Sequence, residues 1–265
     1  MSGVTAAPVH RPVDRIADRF VDDLAALDPV AATFQGLPGF VGALGPEWAG
    51  LSLTMPLKRV ALEVADDVAP DAAAIGAANT LVRREAGWFA ANTDVAGIVE
   101  TLREVGVHEV RQAVVLGAGG TAQAALAALR RLGENAPTVL VRDPARAGAL
   151  EATAERLGMR PRVIGGFPGV ELPPADVVIS TLPAGAADPL AAVTWDPSTV
   201  VLDVIYAPWP TALAAAAADA GCRVAGGLEV LLHQAVEQVE LMTGLPGPTA
   251  AMRRALAEAA GERRG

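Results

Sequence analysis

Val114-Val115-Leu116-Gly117-Ala118-Gly119-Gly120-Thr121-Ala122-Gln123-Ala124-Ala125-Leu126 reads, in that order, as a buried strand, a glycine turn of the form Gly-x-Gly-x-x-Ala and the opening of an apolar helix. Gly117 permits the tight bend, Gly119 has no side chain to keep a pyrophosphate from the backbone, and Ala122 lets helix and strand pack closely. The free N–H groups and positive dipole end of a helix starting near Gly120 then face the phosphates. A glycine triplet alone is a weak signal, since glycine turns also arise for steric reasons. The strand before it and the helix after it make this one a dinucleotide fingerprint.

From residue 112 onward, short strand-like runs alternate with helical spacing. Strands are expected at 112–116, 137–141, 161–165, 176–181 and 200–205, and helices at 121–132 and 145–158. The Ala-rich run 212–220 reads as a helix built of the best helix former. Such alternation predicts an α/β fold with a parallel sheet covered on both faces, and a Rossmann-like, doubly wound unit over 94–226. Upstream, 50–57 is a strand pattern ending at Pro56, 59–66 has helical spacing, and Ile75–Val82 is a glycine-bounded strand followed by a turn at Glu85–Gly87. Near the far end, 228–242 forms a helix with Leu231, Leu232, Ala235, Val239 and Met242 on one face. That helix is expected to return to the first domain. The expected organisation is therefore two domains: a substrate-binding, catalytic α/β domain from 1–93 and 227–265, and the dinucleotide-binding domain 94–226.

Composition narrows the class. With 21 Lys and Arg against 30 Asp and Glu, the net charge of -9 and the lack of a basic cluster argue against a nucleic-acid partner. No apolar stretch reaches the roughly 18 residues of a membrane span. The start, with Arg11, Asp14 and Arg15, lacks a signal-peptide core, so a soluble, cytoplasmic protein is expected. Cys222, the one cysteine, reads as a small core hydrophobe. His10, His108 and His233 are too scattered for a metal cluster, and no metal is expected.

Polar groups that interrupt apolar or glycine-bounded segments are the candidates for chemistry: Lys58 after Thr54-Met55-Pro56, Asn79, Asp94 and Gln234. Each alone has an ordinary explanation, because lysines snorkel to solvent and Asn and Asp favour turns and caps. The set is more specific. Leu51-Ser52-Leu53-Thr54-Met55-Pro56-Leu57-Lys58, Ile75-Gly76-Ala77-Ala78-Asn79-Thr80-Leu81-Val82, Asn92-Thr93-Asp94, the glycine turn and Gly227-Leu228-Glu229-Val230-Leu231-Leu232-His233-Gln234-Ala235 follow one another in the order and spacing of shikimate dehydrogenases. From about Pro38 to the C-terminus the chain resembles that family.

The resemblance implies a reversible, NADP-dependent reduction of 3-dehydroshikimate to shikimate on the route to chorismate and the aromatic amino acids. It casts Lys58 and Asp94 as the catalytic pair. Thr54, Asn79, Asp94 and Gln234 would hold substrate hydroxyls, Ser52, where the family more often has Asn, would lie near the carboxylate, and Tyr206 would line the site. Cofactor contacts would come from Gly117, Ala118, Gly119, Gly120, Thr121, Ala122, Thr181 and Gly227. The chemistry asks for these types: hydride arriving at a ketone carbon leaves negative charge on oxygen, and a donor must meet it. In the reverse direction Lys58 must be neutral; desolvation lowers a lysine pKa, a nearby carboxylate raises it, and the sequence leaves the balance open.

NADP is expected over NAD because Arg142 and Arg146, just past the second strand of the fingerprint unit, match the family positions that surround a ribose 2′-phosphate with guanidinium groups. Asp143 departs from the usual Thr there. It would either repel a 2′-phosphate, as the ribose-binding acid of NAD enzymes does, or cap the helix that follows.

The start of the chain departs further. The family opens with a central strand and a loop whose two serines bind the substrate carboxylate, whereas Pro8-Val9-His10-Arg11-Pro12 has neither serine. Residues 1–36 are thus atypical, and from Asp14 the spacing of Ile16, Phe20, Leu24 and Leu27 predicts an amphipathic helix, which resembles the opening helix of an unrelated hydrolase family. Either the domain lacks its central strand and its site is impaired, since a helix supplies no strand ladder, or Arg11 or Arg15 takes over the carboxylate and the helix replaces the lost packing. The rivals to the main reading are a catalytically impaired dinucleotide-binding protein and a paralogue acting on quinate.

Overall fold

The computed structural model describes residues 5–8 and 36–262. The amphipathic helix expected from Asp14, with Arg11 and Arg15, lies outside them. The chain divides into two compact units, Met1–Thr93 with Val236–Gly247, and Asp94–Ala235 with Pro248–Gly265.

In the first unit, strands β1 (Thr5–Pro8), β2 (Trp48–Ser52), β3 (Asp67–Val68), β4 (Thr80–Arg84) and β5 (Gly87–Ala91) form a sheet of order β1-β2-β4-β5-β3. All neighbours are antiparallel except β3 and β5. Helices α1 (Leu37–Ala43) and α2 (Pro70–Ile75) accompany it. Leu37, Val41, Leu51, Leu57, Leu81 and Trp88 close its core. The family's central opening strand was expected to be missing; the described Thr5–Pro8 is a four-residue strand at the edge of the sheet, paired antiparallel with β2 alone.

Ile75–Val82 is not one strand either. Pro70 starts a helix that ends at Ile75, where Gly76 takes the left-handed conformation (φ 74°) that glycine adopts without strain, and the strand begins at Thr80. Residues 53–57 leave the sheet in a turn closed by the Leu57 N–H on the Thr54 carbonyl at 2.8 Å. Of the helical spacing at 59–66, a single 3-10 turn, Val60–Leu62, forms. Strand β5 and helix α1 were not anticipated; each is too short for a periodicity argument.

The second unit contains α3 (Asp94–Glu104), β6 (Ala113–Leu116), α4 (Gly120–Arg131), β7 (Thr138–Leu140), α5 (Gly148–Leu157), β8 (Arg162–Ile164), β9 (Val177–Ser180), β10 (Val200–Asp203), α6 (Ala212–Asp219) and β11 (Arg223–Ala225). Helix α7 (Gly227–Thr243) runs on from it into the first unit's residues, and α8 (Thr249–Glu262) ends the described chain. The sheet order β11-β10-β9-β6-β7-β8, parallel throughout, is the doubly wound dinucleotide-binding order. Every residue of β6, β9 and β10 is buried, as expected of strands covered on both faces. The expected strands and helices of this unit form with ends shifted by one to three residues, the helix expected from 145 starting at Gly148 after a 3-10 turn at Pro144–Arg146. Helices α3 and α8 were not anticipated, while β11 is the strand that Gly226-Gly227 was expected to stop.

Residues 227–235 and 248–265 group with the second unit and not, as expected, with the first. The packing gives the reason. A Cβ on Gly97 of α3 would lie 2.8 Å from the Val230 carbonyl, so the bare glycine lets α7 approach α3 closely. At the other end of α3, Glu104 takes hydrogen bonds from His233 of α7 (3.0 Å) and Arg253 of α8 (2.6 Å). No helix among the described residues is long and apolar enough to cross a membrane.

Candidate active site

The glycine turn sits where the strand order reverses, between β6 and β9, which is where open α/β sheets bind ligands. Gly117 has φ +104°, and a Cβ there would meet the Thr181 hydroxyl oxygen at 2.8 Å. Thr181 donates from its hydroxyl (2.7 Å) and its N–H (3.0 Å) to the Leu116 carbonyl, pinning the turn to the end of β9. Beyond the bend, Cβ atoms on Gly119 and Gly120 would have nothing within 4 Å. Helix α4 starts there with no side-chain cap. Open space over bare backbone at a helix N-terminus is a seat for phosphate. Gly227 plays a packing role, since a Cβ there would collide with the Val204 carbonyl.

Arg142 and Arg146 are exposed beyond β7. Asp143 between them accepts a hydrogen bond from the Ala145 N–H at 3.0 Å, so its carboxylate is a cap of the following turn.

In the first unit the polar residues converge on Asn79. Its N–H donates to the Ala91 carbonyl (3.1 Å), and its own carbonyl accepts from the Leu53 N–H (2.7 Å). Its side-chain Oδ1 accepts from the Thr93 N–H (2.8 Å), the Thr93 hydroxyl (3.1 Å) and the Thr80 hydroxyl (2.8 Å). One residue earlier, the Ala78 N–H donates to the Lys58 carbonyl at 2.7 Å, which ties the lysine's backbone to the same cluster. Lys58 and Ser52 are half-buried and Thr54 is exposed. Thr93, held by Asn79, is the residue before Asp94. Sequence reading missed Thr80, Thr93 and Gln238, whose side-chain amide donates to Ser52 (3.1 Å) and Thr80 (3.0 Å). The signal was present only as a polar residue on a helix with an otherwise apolar stripe.

In the second unit, half-buried Asp94 opens α3. Gly97, three residues on and hence on the same helix face, would bring a Cβ within 3.1 Å of the Gln234 Cβ. The fold therefore packs Gln234 against the helix that Asp94 opens, and the Gln234 amide also donates to the Leu231 carbonyl at 3.0 Å. Tyr206, 51% exposed, lines an apolar groove of about 450 Å³ with Trp209, Leu228, Leu231 and Leu256.

Two further groups of the second unit belong to the scaffold. Burial raises the Asp203 carboxyl above its ordinary value, opposed by hydrogen bonds from the Thr211 hydroxyl (2.7 Å) and the Ile205 N–H (3.3 Å). Burial also raises the Cys222 thiol, which donates to the Asp196 carbonyl at 3.2 Å, as a core residue does.

A doubly wound sheet with a glycine phosphate seat, together with a unit carrying amide and hydroxyl groups around one asparagine and the backbone of Lys58 tied beside it, defines a nucleotide-dependent α/β protein of the dehydrogenase type. The family profile described as "Shikimate dehydrogenase substrate binding domain" matches residues 25–81, and that described as "Shikimate 5'-dehydrogenase C-terminal domain" matches 227–257. The chain is 36% identical over 242 residues to the shikimate dehydrogenase (NADP(+)) of Moorella thermoacetica, covering 88% of this chain and 80% of that one. It belongs to the shikimate dehydrogenase family.

The first profile begins earlier than the expected onset at Pro38, so residues 25–36, expected to be atypical, fall within the family pattern. Among solved structures, the chain is similar to Mycobacterium tuberculosis shikimate dehydrogenase, with 46% identity, a TM-score of 0.72 and 84% of each chain covered. It is also similar to the Thermus thermophilus enzyme in complex with NADP(H) and shikimate, with 31% identity, a TM-score of 0.69, and 86% of this chain and 85% of that one covered.

Proposed function

We propose that this chain interconverts 3-dehydroshikimate and shikimate with NADP, in the cytoplasm, as a step toward chorismate and the aromatic amino acids. The observation that carries this reading is the cluster about Asn79, with Ser52, Thr54 and Lys58 on the stretches it ties together. A hydroxylated ring acid needs many directional hydrogen bonds and one group that moves a proton; the cluster supplies the first, and Lys58, whose backbone is tied to it, is the candidate for the second. The relatives named above share the activity.

The residues of the second unit fit the cofactor: bare backbone at Gly117, Gly119 and Gly120 and the start of α4 for the pyrophosphate, with exposed Arg142 and Arg146 for a 2′-phosphate. Asp143 accepts the Ala145 N–H as a cap, and the preference for NADP rests on the two arginines. When bound, the nicotinamide accepts or supplies the hydride. Lys58 meets the oxygen that gains negative charge on ketone reduction, donates an N–H to it and then gives up the proton; in the oxidation it takes that proton back as a neutral amine. Asp94 is, by the family pattern, the second member of the catalytic pair and meets a ring hydroxyl. Thr54, Asn79 and Gln234 hold the other hydroxyls, and Ser52 the carboxylate side.

The test is the rise in NADPH absorbance on adding shikimate to protein and NADP. Saturable, shikimate-dependent formation is expected, faster than with quinate. No formation overturns the reading.

A further inference from the structure

We propose that Gln238 is a positioning residue for the substrate wall of the first unit: it holds the Ser52 hydroxyl so that its proton is presented to an oxygen of the substrate. This rests on the reading of Ser52 as a substrate-binding group.

The placement follows from two periodicities. Gly50 and Ser52, two apart on β2, share one face of the strand, and Gln238 and Met242, four apart on α7, share one face of the helix. A Cβ on Gly50 would lie 2.5 Å from the Leu81 carbonyl and 2.8 Å from Cγ of Met242, so the bare glycine lets the helix settle with Met242 against the strand. One helical turn back, Gln238 then lies over Ser52 and over Thr80, its cross-strand partner.

Chemistry fixes the direction of each bond. The Asn79 carbonyl only accepts, so the Gln238 atom 3.4 Å from it is the amide nitrogen and not the oxygen. The Thr80 hydroxyl gives its proton to Asn79 Oδ1 at 2.8 Å and accepts from Gln238 at 3.0 Å. Ser52 Oγ likewise accepts from Gln238, at 3.1 Å, and its own proton meets no acceptor among the described residues. Asn79 Oδ1 already receives the Thr80 hydroxyl and both Thr93 donors, so any further partner of Asn79 is met by its NH₂ group. A wall that offers donors selects a ligand with acceptors there, such as a carboxylate. Replacing Gln238 frees the Ser52 hydroxyl to turn and accept.

The experiment is steady-state kinetics on the wild type, Gln238→Met, Gln238→Glu, Ser52→Ala and the Ser52→Ala/Gln238→Met pair, with NADP affinity measured alongside. Gln238→Met keeps the length and loses the donors. It is expected to raise KM for shikimate about ten- to a hundredfold, with kcat and NADP affinity nearly unchanged. In the double variant the Gln238→Met change should add less than about twofold to the Ser52→Ala defect, because one acts through the other. Gln238→Glu is isosteric and keeps the fold should the methionine variant lose it. Its KM defect should shrink as pH falls, since a protonated glutamic acid regains a donor. An unchanged KM in Gln238→Met, additive effects in the pair, or a pH-independent defect in Gln238→Glu overturns the proposal while leaving the shikimate reading intact. A wild type without shikimate turnover overturns the reading, and this proposal with it.

Discussion

The glycine turn after β6 and the polar cluster about Asn79 are built in opposite ways. The turn is one contiguous stretch, Leu116 to Ala122, whose useful groups are backbone N–H donors exposed by missing side chains. The cluster gathers side chains from β2, the residues before β4, the end of β5 and, 145 or more residues later in the chain, helix α7. Backbone seats recognise a feature common to many ligands. Side-chain clusters recognise one.

That contrast can be broken from either side. The largest effect is expected in the cluster's proton carrier: Lys58→Ala should lower turnover about 100- to 10,000-fold while NADP affinity, measured by fluorescence titration, stays put. Equal loss of both would mean that the lysine props the fold. From the other side, Gly119→Val should do the reverse. Gly119 has an ordinary extended conformation (φ -76°, ψ -172°) and open space around it, so the variant folds and keeps its melting temperature. Its side chain would stand in the phosphate seat and weaken NADP binding about ten- to a hundredfold, by loss of charge-assisted hydrogen bonds.

A smaller change sharpens the description of the seat. Arg142→Ala or Arg146→Ala should raise KM for NADP about tenfold and leave that for NAD nearly unchanged. Equal effects on both cofactors would remove the guanidinium groups from 2′-phosphate recognition.

The smallest effect concerns the scaffold beside the seat. Burial holds the Asp203 carboxyl above its ordinary value of 3.8. The folded state therefore binds that proton more tightly than the unfolded chain, and stability falls as pH rises from about 3.8 through the raised value. Denaturant melts of Asp203→Asn, whose single amide oxygen can still accept from one of the two donors, should show that slope flattened. An unaltered slope would assign the pH dependence to other groups.

The contrast also explains what could be read without coordinates. Strands β6, β7, β9 and β10 and helix α4 were legible because each is signalled by its own residues: fully apolar strands bounded by turn formers, and an alanine-rich helix after a glycine bend. Ile75–Val82 misled because its apolar residues fit a strand, while Pro70 and Gly76 marked a helix start and stop just upstream. Strand β1 was missed because four residues carry no usable period, and its pairing with β2 is the sole mark of it. In the candidate site, Lys58, Asn79, Asp94 and Gln234 were noticed as polar interruptions in a family-like order. Gln238 was not, since a glutamine on a long helix gives no signal until the strand beneath it is known.

The sequence alone determined the dinucleotide seat, the alternation that builds a parallel sheet and the family of the chain, because each is written in neighbouring residues or in motifs at fixed spacing. Only the tertiary structure decided that Asn79 is the hub of the polar cluster and that Gln238 directs the Ser52 hydroxyl. It also decided that α7 packs its first half on α3 through Gly97 and its second half on β2 through Gly50. Hydrogen-bond direction and close approach depend on atoms brought together from distant positions, and no local pattern records them.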